Sequence, residues 1–300
     1  MARERDAIPA NTSGEFFVDS SCIDCDLCRQ LAPGVFARCE GAEQSFVIRQ
    51  PAAGEEHRVL MALVTCPTSS IGSRSKHDSR AAAHAFPDPI VDEVYFCGYA
   101  SEASFGASSY LIRRAAGNVL VDSPRFAKLL VDSIAELGGV STMVLTHRDD
   151  VADHRRFRDR FGCERVIHRA DVSGDTRDCE RIIDGDVELA ADLHVIHVPG
   201  HTRGSIALLH GDVLFTGDHL WATDDETGLE GGRDVCWYSW PEQRESIRKL
   251  AAYRFTHVLP GHGRRFVTTS ADAMHAAVLR AYAASDEGRS TADRDSPRGR

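Results

Sequence analysis

Long apolar runs are absent from the 300-residue sequence. No segment approaches the roughly 20 consecutive apolar residues that a transmembrane helix needs. The amino-terminal residues 1–5 also lack the apolar core of a secretory signal. We therefore expect a soluble, intracellular protein of the cytoplasm that has no membrane partner.

An excess of basic residues is absent as well. The chain carries 35 Lys and Arg residues against 45 Asp and Glu residues, which gives a formal net charge of −10. A nucleic-acid-binding protein would be expected to present a basic face, so we expect no nucleic-acid partner. The apolar fraction of 42% is ordinary for a globular chain and allows a sizeable core. The length indicates two domains, or one large domain with an appendage.

The nine cysteines do not have the number or the spacing of a secreted disulfide framework. Three of them, Cys22, Cys25 and Cys28, follow the pattern C-x-x-C-x-x-C, and Cys66 stands before Pro67 after a helix-like segment. Three thiolates on a tight loop can wrap one face of a cubane, and a distant fourth closes it. Structural zinc and ordinary reduced thiols are the alternatives, but the third evenly spaced cysteine favours a 4Fe–4S cluster.

The segment around these cysteines, residues 16–71, resembles a single-cluster bacterial ferredoxin. Because the C-x-x-C-x-x-C run occurs once, we expect one cluster, in a ferredoxin-like domain that covers residues 14–72. Residues 73–89 are polar and small, which is typical of a linker. We expect His77 and His84 within it to be solvated.

A dense group of potential metal ligands follows a strand-like run at residues 143–145. Its members are His147, Asp149, Asp150, Asp153 and His154. If packing alone explained them, each would need its own buried partner. Asp150 is a suitable N-cap for a following helix, and Asp153 and His154 would lie on the same helical face. The group predicts a metal site, with a solvated, charged helix start as the alternative.

Three more side chains of this kind follow strand-like runs further along the chain. They are His201 in P-G-H-T, Asp218 in F-T-G-D and His262 in P-G-H-G. The repetition of a strand, a glycine and a metal-type side chain is far more specific than any one instance. His168 also ends a strand-like run, but there we expect a surface histidine.

In this order, the motifs resemble those of the metallo-β-lactamase-fold hydrolases, with the glyoxalase II-like branch nearest, over roughly residues 89–284. The resemblance implies an α+β fold in which a four-layer αββα sandwich holds metals at one edge. We expect this domain at residues 90–285. Residues 286–300 are polar with few apolar side chains, so we expect a disordered tail there.

The resemblance also implies which side chains hold one or two divalent metals. The first subsite would have His147, Asp149 and His201, the second would have Asp153, His154 and His262, and the bridge would be Asp218. Asp153 and Asp218 are the expected catalytic carboxylates.

The chain departs from the family pattern at one place. The family pattern is H-x-H-x-D-H, whereas this chain reads H-R-D-D-V-A-D-H. The middle histidine is replaced by Asp149, with Asp150 as a rival ligand. A carboxylate in place of an imidazole shifts the preference from zinc towards iron or manganese. The flavodiiron branch of the superfamily carries a carboxylate there.

Two classes of function follow from the resemblance. In the first, the chain hydrolyses a small ester or thioester through a metal-bound hydroxide, with the iron–sulfur domain fused to it. In the second, it is an iron-dependent oxidoreductase, similar to flavodiiron proteins or persulfide dioxygenases, which receives electrons through the 4Fe–4S cluster from a redox partner protein. An electron-carrier module with a vestigial second domain is a third, non-catalytic alternative.

Overall fold

The computed structural model of the chain describes residues 2–39, 41 and 43–287. Within these ranges, no helix combines the length and the apolarity that crossing a membrane requires. The predicted disordered tail starts at residue 286, but the last helix continues to Glu287. The rest of that predicted tail, residues 288–300, lies outside the described residues.

The chain divides into two compact units. The first unit contains the residues up to Leu145, then Asp149–Ile167 and Gly174–Arg181. The second unit contains Thr146–Arg148, His168–Ser173 and the residues from Ile182 onwards.

The cysteine-bearing part of the first unit is built from short strands and two helices. Its elements in chain order are β1 (Phe16–Val18), α1 (Leu27–Leu31), β2 (Phe36–Arg38), β3 (Ser45–Val47), α2 (Glu56–Thr65) and β4 (Ile71–Ser73). The pairs β1–β4 and β2–β3 are antiparallel. Helix α2 buries Val59, Leu60 and Met61 and ends directly before Cys66, as the apolar spacing of the segment predicts.

The segment predicted to be a linker has structure of its own. It contains the helix α3 (Arg80–Ala83), and the side chain of Phe86 is 1% exposed. His77 was expected to be solvated, but its ring is only partly exposed. The ring centroid lies 4.9 Å from that of Phe16, and the ring nitrogens bond Glu56 and Glu15. The solvation of His77 was therefore predicted wrongly, because its acidic partners lie far away in sequence.

The rest of the first unit supplies a mixed seven-stranded sheet. Its elements are β5 (Asp88–Val91), β6 (Val94–Phe96), β7 (Tyr110–Ile112), β8 (Val119–Val121), α4 (Lys128–Glu136), β9 (Thr142–Val144), α5 (His154–Phe161), β10 (Glu164–His168) and β11 (Arg181–Ile183). The strand order is β11-β10-β9-β8-β7-β6-β5. The strands β5 to β8 form an antiparallel meander, and β8, β9 and β10 run parallel because α4 and α5 provide the crossovers.

The second unit is organised on a mixed six-stranded sheet. Its elements are β12 (Val187–Ala190), β13 (Leu193–His197), β14 (Ile206–His210), β15 (Val213–Gly217), β16 (Trp221–Ala222), β17 (Leu229–Glu230), α6 (Trp240–Leu250), β18 (His257–Pro260), β19 (Phe266–Val267) and α7 (Ala271–Glu287). The strand order is β12-β13-β14-β15-β18-β19. One face of this sheet packs with α6 and α7 into a single apolar core.

The direction of these strands determines where the polar side chains meet. Strand β13 pairs antiparallel with β14, β14 pairs antiparallel with β15, and β15 pairs parallel with β18. The strands β13, β15 and β18 therefore point the same way, and their carboxyl ends share one edge of the sheet. His201, Asp218 and His262 follow those three ends.

His168 was expected to be a surface histidine, but the structure buries it. Its side chain is buried, at 4% exposure, and its ring stacks on that of His197 with 3.9 Å between the ring centroids. Both histidines belong to the second unit. The prediction of a surface histidine was wrong because the stacking partner lies 29 positions away and no local pattern reveals it.

Candidate metal centre

Three side chains of the second unit bring potential ligand atoms together. His147, His201 and Asp218 each offer one ligand atom, and these atoms lie within 4.8 Å of one another. The backbone of the His147 segment is held in this unit, because the amide of Ile206 donates to the carbonyl oxygen of Thr146 at 2.8 Å.

The distances within this group fit a metal ion. Nε2 of His147 lies 3.6 Å from Oδ2 of Asp218, and Nε2 of His201 lies 3.7 Å from the same oxygen. A tetrahedral ion with bonds of about 2.0–2.1 Å would hold its ligand atoms about 3.3–3.4 Å apart. The two histidine rings are perpendicular, with 4.8 Å between their centroids, so both can direct a nitrogen at one ion.

The tautomer of His201 is fixed by a backbone carbonyl. Its Nδ1 lies 2.7 Å from the carbonyl oxygen of Val235, and a carbonyl oxygen can only accept a hydrogen bond. Nδ1 therefore carries a proton, and Nε2 is the nitrogen that faces Asp218. This is the usual arrangement of a metal-binding histidine. Nδ1 of His147 is 3.0 Å from the hydroxyl of Thr146, which orients the second ring.

His262 holds the carboxylate of Asp218 in place. Its backbone amide donates to Oδ1 at 3.0 Å, and its Nδ1 lies 2.9 Å from Oδ1 and 2.8 Å from Oδ2. Burial would raise the pKa of Asp218, but the charges of His262, His147 and His201 lower that pKa well below its usual value. Asp218 is therefore an ionised carboxylate that accepts hydrogen bonds from the backbone amide and the ring of His262.

The glycine of the F-T-G-D motif is required by the fold. Gly217 has a φ of +52°, and a Cβ atom there would lie 2.5 Å from Oγ1 of Thr146. A larger residue would therefore push away the segment that carries His147. The motif thus ends strand β15 with a residue that lets the two ligand-bearing segments approach each other.

The two neighbouring carboxylates of the His147 segment differ in burial. Asp150 is 1% exposed, whereas Asp149 is only partly buried. Asp150 was also predicted to cap the following helix, but α5 begins after Asp153. Among the described residues, Asp149 belongs to no group of three potential ligand atoms that lie within 4.8 Å.

The predicted ligands Asp153 and His154 are engaged elsewhere in the first unit. Asp153 accepts a hydrogen bond from the backbone amide of Phe126 at 2.7 Å, and its other oxygen faces Arg156. Nδ1 of His154 accepts from the guanidinium of Arg165 at 3.2 Å. Burial, followed by the charge of Arg165, lowers the pKa of His154, so the ring is neutral.

A neutral histidine that accepts at Nδ1 carries its proton on Nε2. Among the described residues, Asp153 and His154 belong to no group of three potential ligand atoms that lie within 4.8 Å of one another. Their assignment to a second metal subsite stays a prediction. Sequence reasoning missed Arg165, which Glu180 holds through two hydrogen bonds of 3.0 Å.

A segment with exposed aromatic side chains lies against His201. The backbone amides of Trp237 and Tyr238 donate to the carbonyl oxygen of His201 at 3.0 and 3.1 Å. The ring of Trp237 lies 6.2 Å from that of His201 and is 64% exposed. The carbonyl of Val235 that orients His201 belongs to the same segment. It therefore both positions a candidate ligand and lines the approach to it.

None of the four cysteines of the predicted cluster is in a disulfide, and backbone amides donate to the sulfur atoms of two of them. The amide of Ser45 donates to Sγ of Cys22 at 3.3 Å, and the amide of Ser70 donates to Sγ of Cys66 at 3.3 Å. Burial raises the pKa of Cys25 to about 12, and the neighbouring Cys66 and Cys22 add to this effect. Buried thiols grouped in this way suit a metal that displaces their protons.

The loop Ser101–Ala107 covers one of these cysteines. Gly106 has a φ of +86°, and a Cβ atom there would lie 2.5 Å from Cβ of Cys25. Nearby, the amide of Ala100 donates to the carbonyl oxygen of Thr65, and the guanidinium of Arg125 donates to that of Val64, both at 3.1 Å. These contacts join the cysteine-bearing part to the rest of the first unit.

Comparison with known proteins supports both halves of the prediction. Residues 18–73 match the family model of the 4Fe-4S single cluster domain of Ferredoxin I. A hydroxyacylglutathione hydrolase of Rhodospirillum rubrum is 30% identical over 151 residues, which cover 48% of this chain and 56% of that protein. An uncharacterized protein of Mycobacterium tuberculosis is 30% identical over 161 residues, which cover 41% of this chain and 69% of that protein.

Among solved structures, the DIM-1 metallo-β-lactamase is similar, with a TM-score of 0.49 and 16% identity over 64% of this chain and 96% of that one. The chain spans little more than half of the length of the R. rubrum hydrolase. The chain belongs to the same family as the M. tuberculosis protein, and over part of its length it is similar to hydroxyacylglutathione hydrolases. Residues 18–73 add a single-cluster 4Fe–4S ferredoxin domain. The predicted fold class, resemblance and cofactor types are thereby confirmed.

Proposed function

We propose that the chain hydrolyses a small ester or thioester at a metal site held by His147, His201 and Asp218. The first substrate to test is a hydroxyacyl glutathione thioester, because the similar hydrolases are named for that activity. The observation that carries the proposal is the convergence of two histidine Nε2 atoms on one carboxylate oxygen, with the tautomer of His201 fixed by Val235.

When bound there, a divalent ion supplies a Lewis acid that polarises a carbonyl group and lowers the pKa of water. The residues of the chain provide the geometry. His147 and His201 bind through Nε2, and their Nδ1 atoms are held by Thr146 and Val235. Asp218 supplies negative charge and is kept in one orientation by His262. The ring of Trp237 lies 6.2 Å from that of His201.

The cysteines Cys22, Cys25, Cys28 and Cys66 are the proposed ligands of the 4Fe–4S cluster. This assignment is supported by their position within the ferredoxin-type match at residues 18–73 and by the amide hydrogen bonds to two of the sulfur atoms. Amide donors of this kind tune the potential of an iron–sulfur cluster.

The test is an assay of thiol release from a hydroxyacyl glutathione thioester, with protein purified without oxygen and analysed for metal. Asp218→Asn should lower the rate at least ~100-fold, the scale of losing electrostatic stabilisation at a reacting oxygen. It should also lower the metal content. His275→Ala is the matched control, because His275 is an exposed histidine of the same unit whose Nδ1 lies 2.9 Å from the carbonyl oxygen of Ala251. Unchanged thiol release in Asp218→Asn would contradict the proposal.

A second candidate function is iron-dependent oxidation of a persulfide. The observation that favours it is the composition of the close group, two histidines and one carboxylate, which is also the ligand set of non-haem iron oxygenases. Oxygen consumption by iron-loaded protein with a low-molecular-weight persulfide would support this candidate. Thiol release by zinc-loaded protein without oxygen consumption would exclude it in favour of hydrolysis.

A further inference from the structure

Asp171 is a buried carboxylate that no sequence motif distinguishes. It ends the short 3-10 helix Arg169–Asp171 and is 1% exposed. Its Oδ2 accepts hydrogen bonds from the backbone amide of Arg148 at 3.1 Å and from the hydroxyl of Thr202 at 2.5 Å. Its Oδ1 accepts from the backbone amide of Gly204 at 2.8 Å. All of these residues belong to the second unit.

The three donors come from the two segments that carry the histidines of the metal group. Arg148 directly follows His147, and Thr202 directly follows His201. A single carboxylate therefore holds both segments, which are more than 50 positions apart in the sequence. The direction in which a histidine presents Nε2 depends on its backbone, so fixing the next residue also fixes the ligand.

A chain of hydroxyl groups supports this carboxylate. The amide of Thr202 donates to Oγ of Ser205 at 2.9 Å, and the two hydroxyl oxygens are 2.8 Å apart. Because the one hydroxyl hydrogen of Thr202 goes to Asp171, the hydroxyl of Ser205 must donate to Thr202. Thr202 is 0% exposed and Ser205 is 4% exposed, so water does not replace these bonds.

Gly204, which lies between Thr202 and Ser205, must be a glycine because its backbone lies close to Asp171. A Cβ atom on Gly204 would lie 2.6 Å from Cγ of Asp171 and 2.7 Å from its backbone nitrogen. Any larger residue would therefore separate the His201 segment from Asp171. Thr202, Gly204 and Ser205 thus all contribute to the contact between the His201 segment and Asp171.

We propose that Asp171 is a positioning residue that holds the His147 and His201 segments at the separation a metal ion needs. The proposal rests on the proposed ligand roles of those two histidines. Asp171 acts through hydrogen bonds to their neighbours, as the outer partners of metal ligands do in many proteins. Loss of such partners typically costs 10–100-fold in metal affinity.

The test measures the affinity for Zn²⁺ by competition with a chromophoric chelator, on anaerobically purified full-length protein that retains its cluster. Asp171→Asn should weaken Zn²⁺ binding by roughly 10–100-fold, because an amide nitrogen cannot accept the bonds on its side. Asp186→Asn is the matched control. Asp186 is also a carboxylate of the second unit, and it accepts from the amide of His197 and from Lys249, but it contacts neither segment.

A second pair of variants keeps the carboxylate. Thr202→Val removes the donated hydroxyl at nearly constant volume and should weaken Zn²⁺ binding, whereas Thr202→Ser retains a hydroxyl and should restore most of the affinity. This pair tests the proposal even if Asp171→Asn does not fold. Thermal unfolding of the metal-free proteins separates a loss of affinity from a general loss of stability.

His201→Ala distinguishes a failure of the positioning role of Asp171 from a failure of the proposed ligand set. If His201→Ala loses Zn²⁺ while Asp171→Asn and Thr202→Val bind it as the unaltered protein does, the positioning role is overturned and the proposed function stands. If His201→Ala itself retains Zn²⁺, the proposed ligand set is overturned and the role of Asp171 falls with it.

Discussion

The adjacent carboxylates Asp149 and Asp150 show how much depends on one side chain. They follow His147 by two and three positions, and only Asp150 is buried. A buried carboxylate needs a compensating partner, whereas a partly exposed one is satisfied by water. Burial therefore favours Asp150 as the ligand contributed by this segment, although the family pattern aligns Asp149 with the missing histidine.

Two alanine variants test this preference. Asp150→Ala should lower the metal content of the anaerobically purified protein, because a buried charged group is lost beside a ligand. Asp149→Ala should retain the metal and change the free energy of unfolding by at most about 0.5 kcal/mol, as surface substitutions usually do. Metal analysis and thermal unfolding give both values. Loss of metal in Asp149→Ala alone would restore the family alignment.

The cluster cysteines allow an equally direct comparison. Protein isolated without oxygen should contain about four iron and four sulfide per chain in addition to the metal of the second unit. Cys66→Ser should bleach the visible absorption of the cluster, because a ligand is lost. Cys39→Ser is the control, since Cys39 is a partly buried cysteine outside the motif. Zinc on four thiolates in colourless protein would contradict the assignment.

At the scale of elements, His77 connects a strand to a helix. Its ring bonds Glu15, next to strand β1, and Glu56, at the start of α2. The hydrogen bond to Glu15, followed by that to Glu56, raises the pKa of His77 above its ordinary value of 6.5. The hydrogen bond from the backbone amide of Ser75, followed by that from His77, lowers the pKa of Glu15 to about 2, so Glu15 is ionised throughout the neutral range.

This pairing predicts a pH-dependent contribution to stability. A group whose pKa is raised by folding stabilises the folded state fully below its unfolded pKa, and the effect is lost as the pH rises through the folded pKa. His77→Ala should therefore lower the melting temperature more at pH 6 than at pH 9. His84→Ala, an exposed histidine of the same segment, should show no such difference. An equal loss for His77→Ala at both pH values would argue against the ion pair.

At the scale of the whole molecule, the cysteine-bearing part and the strands that follow it belong to the same compact unit. The unit extends through residues 1–145 without a division near residues 73–89. Gly106 packs on Cys25, and Arg125 and Ala100 bond the last turn of α2. The domain boundary at residue 72 stays a prediction, and these contacts lead us to expect that the two parts stabilise each other.

Removal of residues 1–72 tests this continuity. The remaining chain should unfold at a lower temperature than the full-length protein, because it loses the partners of Ala100, Gly106 and Arg125. Circular dichroism during heating measures the difference. Full-length Cys28→Ser is the control, since it removes a cluster ligand but keeps the packed chain. An unchanged melting temperature in the shortened chain would show that the ferredoxin-like part is independent.

Much of the local structure could be predicted from the sequence. The hairpin of β7 and β8, the helix α2 before Cys66 and the run of strands that leads to Asp218 follow from apolar periodicity and glycine turns. Residues 172–192 have no clear apolar periodicity, yet they contain the short strands β11 and β12. Short strands of this kind depend on pairing partners, which periodicity does not reveal.

The sequence by itself determined the types of the candidate metal-binding side chains and their position at the ends of strands. It also determined the cysteine spacing and the families that the two parts of the chain resemble. Only the tertiary structure decided which side chains of the His147 segment are engaged elsewhere, since the amide of Phe126 holds Asp153 and Arg165 holds His154. It also revealed Asp171, whose partners belong to two distant segments. A hydrogen bond depends on the distance in space between its donor and acceptor atoms, whereas a sequence pattern contains only the distance along the chain.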